Sequence, residues 1–273
     1  MFYALSILFG SFVGFTLGLT GGGGSLLAVP LLVYGLSIAP REAFGISLVA
    51  VGVTALIGLI HRIRAGVGEI ELRTGALFAV AGMIGAPAGI LLASKIPENV
   101  LLILFAVLML SIAWKMWKES YDPVEYNQKS DQAQERPACE RTESGELKLT
   151  SRCAALLSLV GLVTGVLSGM FGVGGGIVIV PALILFSGMS INRAIGTSLL
   201  VIALISMSGV FSHFIAGQGV SIETTGLFVF GGILGLLFSN IVSRRISGSV
   251  FQKVFAIGII AVAIFIVSKT LTS

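Results

Sequence analysis

Apolar residues run along this chain in long uninterrupted blocks. No Asp, Glu, Lys or Arg occurs in residues 1–40, 43–60, 74–94, 99–114, 154–192, 194–222, 224–243 or 254–268. Many of these blocks reach the roughly 20 residues that a helix needs to cross a bilayer. The pattern predicts spans near 43–60, 75–94 and 99–115, and again near 194–212, 226–243 and 250–268. An earlier apolar element, 2–20 plus 25–36, is broken by four consecutive glycines, Gly21–Gly24, and a similar break follows 151 positions later at Gly172–Gly176. Each glycine costs about 1 kcal/mol relative to alanine in a helix interior. Such runs end a helix in the most apolar territory of the chain.

Composition agrees with the blocks. The 273 residues are 55% hydrophobic and 11% charged, with mean hydropathy +1.02, whereas soluble domains carry about 25% charged residues. The expected class is an all-α polytopic membrane protein. The apolar start lacks a basic leading segment and a clear small-residue cleavage site, so it reads as a membrane helix and not a signal peptide.

The chain repeats itself. At an offset of 151, Gly10, Gly14, Gly18, Gly21, Gly23 and Gly24 match Gly161, Gly165, Gly169, Gly172, Gly174 and Gly175, and Pro30, Ala43, Gly45, Ser47 and Leu48 match Pro181, Ala194, Gly196, Ser198 and Leu199. Most matches are glycine, so the backbone path is duplicated more faithfully than the side chains. The expected organisation is a first transmembrane repeat at 1–117, a charged linker at 118–151 and a second repeat at 152–273. The linker holds eight acidic and five basic residues and little apolar periodicity, a composition that predicts disorder. Outside it, 12 basic residues face 5 acidic ones, which reads as positive-inside anchoring and not as nucleic-acid binding.

Charge bias also sets orientation. The loop 61–73 carries Arg62, Arg64 and Arg73, while its equivalent, 212–225, carries no Lys or Arg. Lys95 stands alone in the next loop, against Arg244 and Arg245 in its counterpart, and Lys115, Lys118 and Arg152 flank the linker. Equivalent loops therefore fall on opposite sides of the cytoplasmic membrane. The expectation is two inverted-topology repeats, each a glycine-broken helical hairpin plus three transmembrane helices, with the linker cytoplasmic and both termini outside. Cys139 and Cys153 lack redox or metal spacing and read as free thiols in a reducing compartment.

The breaks suggest chemistry. A hairpin arm of about 12 residues is about 18 Å long, so each break sits deep in the membrane, where irregular backbone is tolerated only if protein buries it or a wet cavity receives it. New helices are expected near Ser25 and Gly176, and their first N–H groups lack intrahelical acceptors. Those donors and the positive helix end form an anion site, and four hydrogen bonds to a charged group supply about 6–12 kcal/mol. The candidate substrate-binding residues are Gly21, Gly22, Gly23, Gly24, Ser25, Ser47, Gly172, Gly174, Gly175, Gly176, Thr197 and Ser198. Ser47, Thr197 and Ser198 either cap their own helices or complete the anion shell. Arg41, Arg193, His61 and His213 stand at mouth or gating positions, with interfacial anchoring as their plainer reading. Gly10/Gly14/Gly18 and Gly161/Gly165/Gly169 form ladders suited to close helix packing, and Trp114 and Trp117 read as interfacial belt residues.

Two apolar halves, each with a GxGGG-like break, a V-P pair and an A-x-G-[TI]-S-L stretch, resemble the sulfite exporter TauE/SafE family of permeases. The resemblance rests on Gly21–Pro30, Ala43–Leu48, Gly172–Pro181 and Ala194–Leu199, and covers everything but the linker. It implies transport of a sulfur-containing anion such as sulfite or an organosulfonate. Ile46, where the second half has Thr197, departs from the pattern and predicts unequal half-sites. No P-loop, catalytic dyad or paired intramembrane cysteine is present, so no enzyme, metal or cofactor is expected; the partners are a small anion and the bilayer, with homo-oligomerisation left open. A passive anion channel and a scaffold acting through the linker are the competing readings.

Overall fold

The computed structural model describes residues 2–66, 70–121, 139, 150–217, 219–242 and 248–272. Most of the linker, together with Arg244 and Arg245, lies outside these residues. Every regular element among them is helical. The first half comprises α1 (Phe2–Thr20), α2 (Ser25–Pro30) continued by a π-helical turn (Leu31–Gly35), α3 (Pro40–Arg64), α4 (Leu72–Lys95) and α5 (Glu98–Tyr121). The second comprises α6 (Ser151–Phe171), α7 (Gly176–Ser187), α8 (Ile191–Ile215), α9 (Ile222–Val242) and α10 (Gly248–Thr272). The new helices begin at Ser25 and Gly176, where the broken donor pattern places them. Six helices among the described residues are long and apolar enough to span a membrane: α1, α3, α4, α6, α8 and α9. Large apolar side chains such as Leu8, Phe12, Ile84, Leu91, Phe211, Phe214 and Ile264 face outward, as a lipid-facing surface requires.

Small residues decide which helices meet. A Cβ on Gly10 would strike the carbonyl oxygen of Phe228, and one on Gly14 that of Gly232, so α1 lies directly on α9. Gly161, Gly165 and Gly169 of α6 meet the carbonyls of Phe78, Gly82 and Ala86 on α4 in the same way. Each hairpin thus packs on a helix of the other half. With no hydrophobic driving force between helices in lipid, such backbone contact is the main source of association.

The equivalent helices α3 and α8 lie side by side and run antiparallel. Arg62, near the end of α3, donates to the Asn192 carbonyl at the start of α8 (3.3 Å). At the other end, Ser221 N–H donates to Glu42 Oε1 (3.1 Å), and His213 packs against Gly45. Their shared core includes Val51, Ala55, Leu199, Ile202 and Ile205. A second core joins α5, α10 and α2 through Leu101, Phe105, Met109, Ile259 and Leu26.

The cysteine expectation is corrected. Cys139 and Cys153 form a disulfide, with their Cα atoms 5.0 Å apart. The Cys139 N–H donates to the Phe186 carbonyl at the end of α7 (3.2 Å). This anchor holds Cys139 beside the first turn of α6, where Cys153 sits, and both side chains are buried.

Candidate functional site

The two breaks meet. A Cβ on Gly22 would overlap Gly176 Cα, and a Cβ on Gly176 would overlap Gly22 Cα. The chain therefore brings two helix starts, one from each half, into backbone contact inside the helix bundle. Residues Gly21–Ser25 and Gly172–Gly176 are all buried. Glycine is required here on two grounds. Gly175 has φ +69° and Gly22 has φ +154°, conformations that side chains disfavour. The Gly22–Gly176 approach also leaves no space for a side chain.

The donors at these starts are mostly unspent. In the first break, Gly21 N–H donates to the Leu17 carbonyl (2.8 Å) and Gly23 N–H to Thr20 Oγ1 (2.7 Å). Among the described residues, the amides of Gly22, Gly24 and Ser25 have no acceptor. In the second break, Gly172 N–H donates to the Ser168 carbonyl (2.9 Å), while Gly174, Gly175 and Gly176 N–H have no acceptor among the described residues. Buried backbone donors are nearly always paired in native proteins. Here six are left over at one junction.

Hydroxyls from the central helices reach the breaks crosswise. Ser47 Oγ on α3 donates to the Gly172 carbonyl (2.6 Å), and Ser198 Oγ on α8 donates to the Gly21 carbonyl (2.9 Å). Each half thereby holds the first glycine of the other half's break. Ser25 Oγ stays local, donating to the Gly22 carbonyl (2.8 Å). Thr197 points elsewhere, its Oγ1 accepting Glu71 N–H at the start of α4 (3.1 Å) and its methyl packing on Gly75. Adjacent residues on a helix lie about 100° apart, so Thr197 and Ser198 serve different neighbours.

The mouth residues scatter. Arg41 Nη2 donates to the Ile96 carbonyl (3.2 Å), and its Nε lies 3.7 Å from Glu98 Oε1, an interfacial anchor on the face opposite the linker. Arg193 sits in the first turn of α8 on the linker side. His61 is exposed near the end of α3. His213 is buried against Gly45, with no hydrogen-bond partner at Nε2 among the described residues.

Two hydroxyls escape the sequence reading. Thr20, the cap of Gly23, stands three residues ahead of it, the spacing of a local side-chain cap. Ser168 stands one turn ahead of Gly172, and its buried Oγ has no partner among the described residues. It lines a cavity of about 20 Å³ with Thr164, Val173, Gly175 and the α5 side chains Leu108 and Ile112. The signal for both was a hydroxyl within one turn of a glycine break.

Comparisons with known proteins agree with one another. The family model described as sulfite exporter TauE/SafE matches residues 6–266. A probable membrane transporter protein of Xylella fastidiosa is 35% identical over 270 residues, covering 97% of this chain and 94% of the relative. The probable membrane transporter protein YunE of Bacillus subtilis is 28% identical, covering 86% and 88% of the two chains. A probable membrane transporter protein of Haemophilus influenzae is also 28% identical, covering 96% and 97%. No solved structure matches the chain.

Proposed function

We propose, from the premise that the chain belongs to the sulfite exporter TauE/SafE family and is a multi-pass membrane transporter, that it moves a small sulfur-containing anion such as sulfite or an organosulfonate. In this reading the anion is held where the two glycine breaks meet, by backbone N–H groups at the starts of α2 and α7. The observation that carries it is the set of six unpaired, buried amides at the contact of Gly22 with Gly176. Positive helix ends and unspent donors favour an anion. With no cationic side chain among the candidate binding residues, the ligand is free to leave again.

The antiparallel pairing of α3 and α8 supports a reading of the halves, 1–117 and 152–273, as inverted repeats. Transporters built that way bind substrate at the repeat interface near the midplane. Burial of the whole junction favours a carrier over an open channel, because a solute reaches it only when packed elements separate. The linker at 118–151 is taken as cytoplasmic on the strength of Arg62, Arg64, Arg152 and their neighbours. A disulfide persists in oxidising surroundings, so this orientation requires Cys139 and Cys153 to be reduced in the cell. Labelling of those cysteines in intact cells by a membrane-impermeant maleimide, after treatment with a membrane-impermeant reductant, would reverse the assignment.

The deciding experiment is flux in proteoliposomes with a panel of sulfur oxyanions, with and without a pH gradient. Saturable uptake of sulfite or a sulfonate is expected, and it should survive deletion of residues 120–138. Loss of flux on that deletion favours a scaffold role, while flux that does not saturate favours a channel.

A further inference from the structure

Resting on the transport reading above, we propose that His213 is a proton-operated latch. It holds α8 to α3 on the face opposite the linker, and taking up a proton releases that end. It is a positioning residue and does not touch the anion. Among the described residues, His213 is the one buried residue with an acid–base side chain, the disulfide-bonded cysteines aside. It is 3% exposed, and its Nε2 has no hydrogen-bond partner among those residues. A buried polar group left unpaired is costly, and natural proteins keep few of them without a reason.

The repeat shows what sets this end apart. His213 lies 151 positions after Arg62, so the two occupy matched places near the ends of α8 and α3. Because those helices run antiparallel, the places fall at opposite ends of one helix pair. At the linker end Arg62, partly exposed, reaches the Asn192 carbonyl (3.3 Å). A Cβ on Gly196 there would meet only Ile70 among the described residues, at 3.5 Å. At the other end a Cβ on Gly45, the match of Gly196, would strike His213 Nε2 and Val220. The imidazole is wedged against the start of α3, and its matched arginine is not. Arginine keeps its charge throughout the physiological range, whereas an imidazole changes charge between about pH 5 and 8.

Protonation then has a mechanical outcome. A charge wedged between the Gly45 backbone and Val220 loses water without gaining a partner, which is unfavourable. On α3 the counter-charge is Glu42, one turn before Gly45 and partly exposed, whose Oε1 accepts the Ser221 N–H (3.1 Å). The other charges at this end are engaged or turned outward. Arg41 is held by Ile96 and Glu98, Glu223 of α9 accepts the Tyr3 hydroxyl, and Lys95 is exposed at the end of α4. Of the remaining helices against α8, α7 carries no charge and α6 only Arg152, at its opposite end. A charged ring moves outward toward Glu42, and the contact of α8 with Gly45 opens. Two residues further along α3, Ser47 holds the Gly172 carbonyl, so the released end is the one that grips the second break.

The test is flux of sodium sulfite and of methanesulfonate in proteoliposomes at equal pH on both sides, from about pH 8 to about pH 5. The natural chain is compared with His213→Gln, and dividing one rate by the other at each pH removes the titration of sulfite itself. That ratio should rise about tenfold toward acid, a coupling of ordinary size. His61→Gln, which alters an exposed histidine beside Arg62, should show the natural profile. Gly45→Ala keeps the imidazole but puts a methyl in its place. Its flux at the alkaline end should climb toward the acid rate, and its pH dependence should flatten relative to the natural chain. A constant ratio for His213→Gln, or a Gly45→Ala profile like the natural one, overturns the latch and leaves the transport reading standing. A natural chain that moves neither sulfite nor methanesulfonate at any pH overturns both.

Discussion

In the first hairpin the returning arm is six residues of α-helix followed by a five-residue π-turn, and it ends with Ser37 at φ +55°. In the second the arm is twelve residues of continuous α-helix ending at Gly188, φ +61°. Both arms contain a proline, Pro30 and Pro181, at matching places. Ser37 and Gly188 are themselves matched at the offset of 151. The chain path is thus the same to the residue, left-handed exit included, while the helical hydrogen bonding along it differs. Path is dictated by close backbone approach, through the glycines that α1 presents to α9 and α6 presents to α4. Capping is dictated by individual hydroxyls, and there the halves have diverged: Thr20 closes part of the first break, and nothing equivalent closes the second. Two hairpins of one shape therefore need not bind a ligand equally.

Substitutions test how deep that likeness runs. The largest effect is expected from Gly175→Val, which faces both a left-handed φ and a collision with Thr164. Flux should fall by about two orders of magnitude or more, the scale of a misplaced binding group, with membrane insertion retained. Gly22→Val in the first break should do the same, because its φ is +154° and a side chain there collides with the Gly176 backbone. Normal flux in both variants excludes the glycine site. Next come Ser47→Ala and Ser198→Ala, each of which leaves a buried glycine carbonyl without its cross-half donor. Each should lower stability by about 1–3 kcal/mol, measured by denaturant titration in detergent. Equal losses mean the crosswise bonds are symmetric in energy as well as in position. Thr20→Val should cost about 1 kcal/mol, the usual value of a lost cap, and Phe171→Val nothing on that account. The smallest effect is expected at the arm ends. Ser37→Gly should raise stability by a few tenths of a kcal/mol, because it relieves a left-handed serine that costs about 1 kcal/mol and gives back part of that as glycine entropy. Gly188→Ala should lower stability by about 1 kcal/mol. A gain at Ser37 as large as the loss at Gly188 would mean that the first exit is the more strained of the two.

Much of this arrangement was legible in the residues. Charge-free blocks gave the helices, since nothing else in a sequence removes every charge over twenty positions, and the observed helices extend past the expected spans at every end but that of α9. Arg62 and Arg64 lie in the last turn of α3 and Arg73 in the first turn of α4, on either side of the loop that charge assigned to them. The glycine runs located the helix starts at Ser25 and Gly176 because consecutive glycines leave no other place to begin. What sequence could not supply was side-chain direction across the halves. Thr197 and Ser198 are neighbours in a matched motif, and only the rotation of α8 sends one to Glu71 and the other to Gly21. Arg41 reads as a mouth cation or, more plainly, as an interfacial anchor, and only the fold shows that Ile96 and Glu98, more than fifty positions away, hold it. The disulfide escaped for a similar reason: its pairing depends on the Phe186 carbonyl capturing the Cys139 amide, a contact with no local pattern. Ser168 was hidden by its company, one serine among the small residues of a packing ladder.

The reciprocal serine bonds have a mechanical consequence. Ser47 grips the hairpin of the second half and Ser198 that of the first, and their parent helices lie against each other along the bundle axis. A tilt of either central helix tugs on the opposite hairpin, so one hairpin cannot loosen while its counterpart stays still. The two breaks touch at Gly22 and Gly176, so strain delivered to either hairpin reaches its counterpart through that contact.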